Sequence, residues 1–105
     1  MAGTSRRQQL EAMLAEDPND PLLRYMLAME YVSGGNDAGA VDCFGELFQR
    51  AADYVPAYMQ CGQALARLNR TGEARDVWQR GIKHAQQQGN EHAAGEMQGM
   101  LEGLE

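Results

Sequence analysis

Large apolar residues return along this chain at an interval of 34 positions. Leu10, Phe44 and Trp78 fall in step, as do Leu14, Phe48 and Ile82. Other positions keep the same offset: Ala40 with Ala74, Leu27 with Cys61, Ala28 with Gly62, and Tyr31 with Leu65. A recurrence that carries both the large and the small positions marks one supersecondary unit stacked upon itself. Within each unit the apolar residues recur at helical spacing, and no stretch alternates at the strand period.

Turn residues divide this pattern into helices. The first runs from Ser5 to Glu16, with Ser5 as cap, Gln8 at the capping-box spacing, and Leu10, Met13 and Leu14 on one face. Asp17-Pro18-Asn19-Asp20-Pro21 breaks the chain; Asp20 caps the next helix and Pro21 takes its first position, where no donor is needed. That helix reaches Ser33 with Leu23, Leu27, Ala28 and Tyr31 inward, and Gly34-Gly35-Asn36 stops it. Asp37 is the expected cap of a third helix, which presents Ala40, Val41, Phe44, Leu47 and Phe48 as far as Ala52. Asp53-Tyr54-Val55 connects to Pro56, which opens the second copy with Tyr58, Cys61, Gly62 and Leu65 inward. Asn69-Arg70-Thr71 turns the chain, Thr71 being the expected cap, into a helix carrying Ala74, Val77, Trp78, Gly81 and Ile82. Gln86-Gln87-Gln88-Gly89-Asn90 ends it, and Asn90 caps a last helix through Gly103. Its apolar side is Ala94, Met97, Leu101 and Leu104, about two residues out of the repeat phase.

At 105 residues, 44% of them hydrophobic, the chain makes one ordinary globular domain. No apolar run approaches the ~20 residues of a membrane span. Residues 1–9 lack the apolar core of a secretory signal, which predicts a protein that is not exported. Cys43 and Cys61 lie inside helices, and Cys61 replaces Leu27; both read as buried free thiols suited to a reducing cytoplasm rather than as a disulfide. A net charge of -6 argues against nucleic acid. Arg67, Arg70, Arg75, Arg80 and Lys83 cluster in the second copy and read as a solvated helix face.

The repeat resembles the tetratricopeptide repeat, whose pattern is W-x2-L-G-x2-Y, then A-x3-F, then P. The second copy reads Tyr58-x2-Cys61-Gly62-x2-Leu65 and then Ala74-x3-Trp78; the first reads Arg24-x2-Leu27-Ala28-x2-Tyr31 and then Ala40-x3-Phe44. Pro18 keeps the closing proline, which Ala52 and Gln86 have lost, and Arg24 replaces the first aromatic. The resemblance implies an all-α α-solenoid of antiparallel helix hairpins: a capping helix over 5–16, one repeat over 21–52, a second over 56–88, and a closing helix over 90–103. Small residues at Ala28, Gly62, Ala40 and Ala74 let paired helices approach, while Tyr31, Phe44 and Trp78 fill the space between.

The resemblance also implies a role: such units hold peptides or helices on a concave face lined by the first helix of each pair. In this chain that face maps to Tyr25, Met26, Met29 and Ser33, with Met59, Gln60, Gln63 and Arg67 in the second copy. Gly95, Glu96 and Gly99 join them if the last helix follows its shifted phase. Methionine suits a surface that accepts varied apolar partners, but methionine at helical spacing also serves as core. A family variant clamps a C-terminal carboxylate with lysine, asparagine and arginine; Tyr25, Met29 and Gln60 stand there instead, so no such clamp is expected. Gly95, Gly99 and Gly103 recur every four residues, which suits either the close approach of another backbone or a frayed end. No catalytic motif is present, His92 and Glu96 supply only two metal ligands, and no cofactor is expected. His84 near a helix end reads as a cation favoured by the dipole. The expectation is a non-catalytic module for a protein or peptide partner; the alternative is a homodimer formed through the open ends of the stack.

Overall fold

A computed structural model describes residues 5–104; the leader reading rests partly on residues 1–4, which lie outside them. The described residues form α1 (Arg6–Glu16), α2 (Pro21–Ser33), α3 (Asp37–Arg50), α4 (Val55–Arg67), α5 (Thr71–Gln87) and α6 (Glu91–Glu102). Each helix packs on its neighbour in the chain, and α4 also meets α6. The radius of gyration is 14.2 Å and the principal extents are 47 × 28 × 20 Å. A compact chain of this length has a radius of about 13 Å. The hairpins are therefore stacked in a row and not closed into a bundle. Arg80 of α5 lies over Phe48 of α3, and Gln63 of α4 reaches Met100 of α6, so odd-numbered helices form one layer and even-numbered helices the other.

Local signals set most helix ends. The Ser5 hydroxyl accepts from the Gln8 amide while the Gln8 side chain accepts from the Ser5 amide, a complete capping box. Asp20 accepts from the amides of Leu22 and Leu23, with Pro21 at the first helical position. Two expected caps are displaced by one residue. Asn36, not Asp37, caps α3 through Gly39, and Thr71 lies inside α5 behind Arg70, which makes no side-chain cap bond. The cause is backbone geometry. Gly35, Asn69 and Gly89 take the left-handed conformation, and in each turn the residue that follows becomes the cap. The expected start at Pro56 moves to Val55, which places proline in the first turn, and α3 ends at Arg50 rather than Ala52.

Phe44, Leu47, Tyr58 and Met97 are the largest fully buried side chains. Trp78 lies against Gly62, with its indole N–H donating to the Met59 carbonyl at 3.2 Å. Phe48 stacks on Tyr58 at 4.1 Å between ring centroids, and the His84 ring also stacks on Tyr58, at 5.3 Å. The phase shift of α6 is present: Ala94 and Met97 are buried, Leu101 and Leu104 are half-buried, and Met97 meets Gly81. Both cysteines are free and buried. The first helix belongs to the stack, because it buries Leu10 and Leu14 and ties Arg6 to Glu30 at 3.1 Å. Removal of residues 1–17 is expected to lower the melting temperature by several degrees, read by thermal circular dichroism. Unchanged melting would show that α1 adds nothing to the core.

Candidate functional site

The residues expected on the even-helix face come from α2 and α4, and the structure sorts them by what they touch. Tyr25, Met26, Met29 and Met59 are half-buried and pack against the core. The Tyr25 ring lies 6.2 Å from Phe44 and 5.5 Å from Tyr54, both tilted contacts, so it bridges α2 to the start of α4. Burial, and then the nearby Tyr54, push its hydroxyl above the usual phenol range. Gln60 and Gln63 are half-buried, and the Gln63 amide nitrogen sits 3.6 Å from the Met100 sulfur. Ser33, Gly95, Glu96 and Gly99 are exposed.

Arg67 is exposed but engaged. Its guanidinium makes a two-pronged pair with Asp37, at 3.0 and 2.9 Å. Arg67 ends α4 and Asp37 begins α3, so each charge also sits at the helix end whose dipole favours it. The Asp37 carboxyl is accordingly held below its usual range, first by that hydrogen bond. With Arg67 neutralised in this way, Tyr25, Met26, Met29, Met59, Gln60 and Gln63 present an apolar and amide surface without net charge. Leu22 extends it. It is 52% exposed and precedes Met26 by four and Met29 by seven, one stripe of a helix. That spacing is legible in the sequence, although Leu22 stands in the capping turn of α2 beside Pro21.

The opposite face holds the cavities. One of about 390 Å³ lies between α3 and α5 over a floor of α4, where Cys61 and Leu65 contribute. Another of about 340 Å³ lies beside α2 and α3, and its floor residues Leu27 and Tyr31 are the repeat mates of Cys61 and Leu65. Neither cavity is legible in the repeat pattern, whose large and small positions describe the packing of paired helices and not the space between successive ones. The available signal was Gly45, a glycine inside α3 that the repeat pattern does not require.

Burial pushes the Cys61 thiol up to about 12 and the Cys43 thiol up to about 11, from an ordinary 9.0. Neither is a thiolate near neutral pH, so neither is poised as a nucleophile. The sign for stability follows from linkage. Below pH 9.0 both the folded and unfolded states keep the protons and stability is complete; between 9.0 and about 12 the unfolded state ionises first and stability falls. Half-buried Tyr25 and Tyr54 and buried Tyr58, raised by the same cause, act in the same direction. The urea midpoint is expected to drop between about pH 8 and about pH 11, less steeply in Cys61→Val. Equal slopes in both proteins would refute the thiol contribution. Among the described residues no group of three or more His, Cys, Asp or Glu is arranged for a metal, and no helix is long and apolar enough to cross a membrane.

No protein-family model matches the sequence, and no curated protein matches it. Solved structures do. The solution structure of a tetratricopeptide repeat domain protein from Salinibacter ruber is 35% identical at a TM-score of 0.78, covering 84% of this chain and 89% of that one. A crystal structure under the same description is 37% identical at 0.75, covering 82% of this chain and 100% of that one. A Bordetella parapertussis protein is 26% identical at 0.83, over 97% of this chain and 89% of that one. Shared sequence at this level, on the same stack of antiparallel helix pairs, establishes that this chain belongs to the tetratricopeptide repeat family.

Proposed function

We propose that this protein is a non-catalytic interaction module that holds a peptide or helix of a partner protein on the face of α2, α4 and α6. The observation that carries the reading is the uncharged stripe beginning at Leu22, whose side chain stays half in solvent while Met26 and Met29 continue it. An apolar stripe at this spacing accepts the matching stripe of an amphipathic helix. The methionines adapt their shape to it, and the Gln60 and Gln63 amides offer hydrogen bonds to a backbone laid across them. No free lysine or asparagine takes the clamp positions, which are Tyr25, Met29 and Gln60, so an acidic C-terminus is not the occupant.

The test is Met29→Glu with Met59→Glu. Partner capture in a pull-down is expected to disappear while the helical circular dichroism signal is retained, because both side chains are only half-buried. Retained capture would remove this face as the binding site. Loss of helix would place both methionines in the core and refute the reading as well.

A further inference from the structure

Met97 and Met100 stand one turn apart on α6 in opposite surroundings. Met97 is fully buried, and its sulfur occupies the space that a side chain at Gly81 would need. Met100 is half-buried at the seam with α4, where the Gln63 side-chain amide donates to its sulfur at 3.6 Å. Among the described residues this is the one side-chain hydrogen bond that joins α4 to α6, and its partners are 37 positions apart in the chain. The repeat does not require it. The mates of Gln63 and Met100 across the α2–α4 seam are Met29 and Ala66, which cannot form it. A thioether sulfur is a weak acceptor, so the amide is only loosely held.

Oxidation reverses that weakness. A lone pair of the sulfur takes one oxygen from hydrogen peroxide as the O–O bond breaks; the sulfur becomes a sulfoxide, and the other oxygen leaves as water with both protons. The product is polar where the thioether was apolar. Its oxygen stands out from the sulfur, and the flexible methionine chain lets it turn toward Gln63, where an N–H···O bond closes at about 2.9 Å. At Met97 the same oxygen would be buried against Gly81 and the apolar core, where a polar group without a partner is costly. One helix therefore carries a reachable sulfur beside a donor and, a turn away, a sealed one.

We propose that Met100 is a redox modification site: a peroxide converts it to the sulfoxide, and Gln63 then donates to the new oxygen. The consequence for docking rests on the reading of α2, α4 and α6 as the binding face, whereas the modification and its bond do not. Held on the sulfoxide, Gln63 no longer offers its amide N–H to a backbone laid across α4, and Gln60 is left to do so alone. The α6 edge of the face also turns from apolar to polar. Oxidation thus lowers affinity for an apolar partner, and enzymatic reduction of the sulfoxide restores it.

The test treats the full chain with hydrogen peroxide and reads each methionine by fragment mass spectrometry. Met100 is expected to gain its oxygen at least about tenfold faster than Met97, with the helical circular dichroism signal retained. The side-chain amide of Gln63 is followed in nitrogen–proton correlation spectra, its signals being those that vanish in Gln63→Leu. They are expected to move on oxidation, and to stay in place in peroxide-treated Met100→Leu, a change that conserves volume. Peroxide is also expected to lower the melting temperature several degrees further in Gln63→Leu than in the parent, because that sulfoxide lacks its donor; this reading needs no Met100 variant. Met100 reacting no faster than Met97, unmoved Gln63 signals in the oxidised parent, signals that move equally in Met100→Leu, or equal losses of melting temperature would each overturn the proposal. None of these readings uses a partner, so they stand apart from the pull-down that tests the binding face.

Discussion

Trp78→Ala is expected to destabilise this protein by about 3–5 kcal/mol, the range for removing a large buried aromatic. For a domain of this size the melting temperature falls by roughly 15–30 °C. The side chain is 3% exposed and fills the space between α4 and α5, with its N–H on the Met59 carbonyl. Architecture amplifies the loss. In a stack each helix meets mainly its chain neighbours, so a hole between α4 and α5 cannot be closed by a distant helix moving in. Gly62 makes it worse, because it has no side chain with which to refill the space. Urea denaturation followed by circular dichroism measures the change. A loss below about 1 kcal/mol would mean that α4 and α5 close over the cavity, and that the helix pair is less rigid than described.

Trp78 also shows why the fold could be read from the sequence. A large residue at a 34-residue interval, opposite a small one, is a local rule repeated, and Gly62 beneath Trp78 is that rule in space. The displaced phase of α6 was visible for the same reason, since Met97 had to meet the next small residue, Gly81. The caps were harder. Asp37 and Thr71 are good capping residues, yet the left-handed residues at Gly35 and Asn69 fix the cap one position earlier. Asp37 is instead committed to Arg67, a residue 30 positions away that nothing in the local sequence joins to it.

The proposed binding face is the part least legible in the sequence. The resemblance to the repeat pattern tells where an even-helix residue points but not what it touches. Tyr25 has the spacing of a surface residue, but its ring contacts Phe44 and Tyr54. Leu22 is more exposed than any methionine on α2. The α3–α5 groove forms between successive repeats, so its walls belong to neither repeat's own pattern, and only Gly45 hinted at it.

The same substitution is expected to have opposite signs at different glycines. Glycine to alanine in a helix gains about 0.5–1 kcal/mol from propensity alone. At Gly62 the new Cβ would lie 2.1 Å from the Trp78 indole nitrogen and 2.3 and 2.6 Å from two ring carbons. The indole is buried and hydrogen-bonded, so it cannot swing into solvent, and the ring or α4 itself must shift. Overpacking of this kind costs about 1–3 kcal/mol and sometimes more. Gly62→Ala is therefore expected to lose about 1–2 kcal/mol net, lowering the melting temperature by roughly 5–10 °C. At Gly95 and Gly99 a Cβ meets nothing within 4 Å, and both residues are exposed. Gly95→Ala with Gly99→Ala should raise the melting temperature by roughly 5–10 °C. This pair also bears on the α6 glycine stripe. If a second copy of the chain packed its backbone there, added methyl groups would weaken association and cancel the gain. Thermal melts at two protein concentrations, with light scattering, separate the cases. A stabilised, concentration-independent double variant means that glycine is merely tolerated on α6, whereas stabilisation by Gly62→Ala would contradict the packing of Trp78.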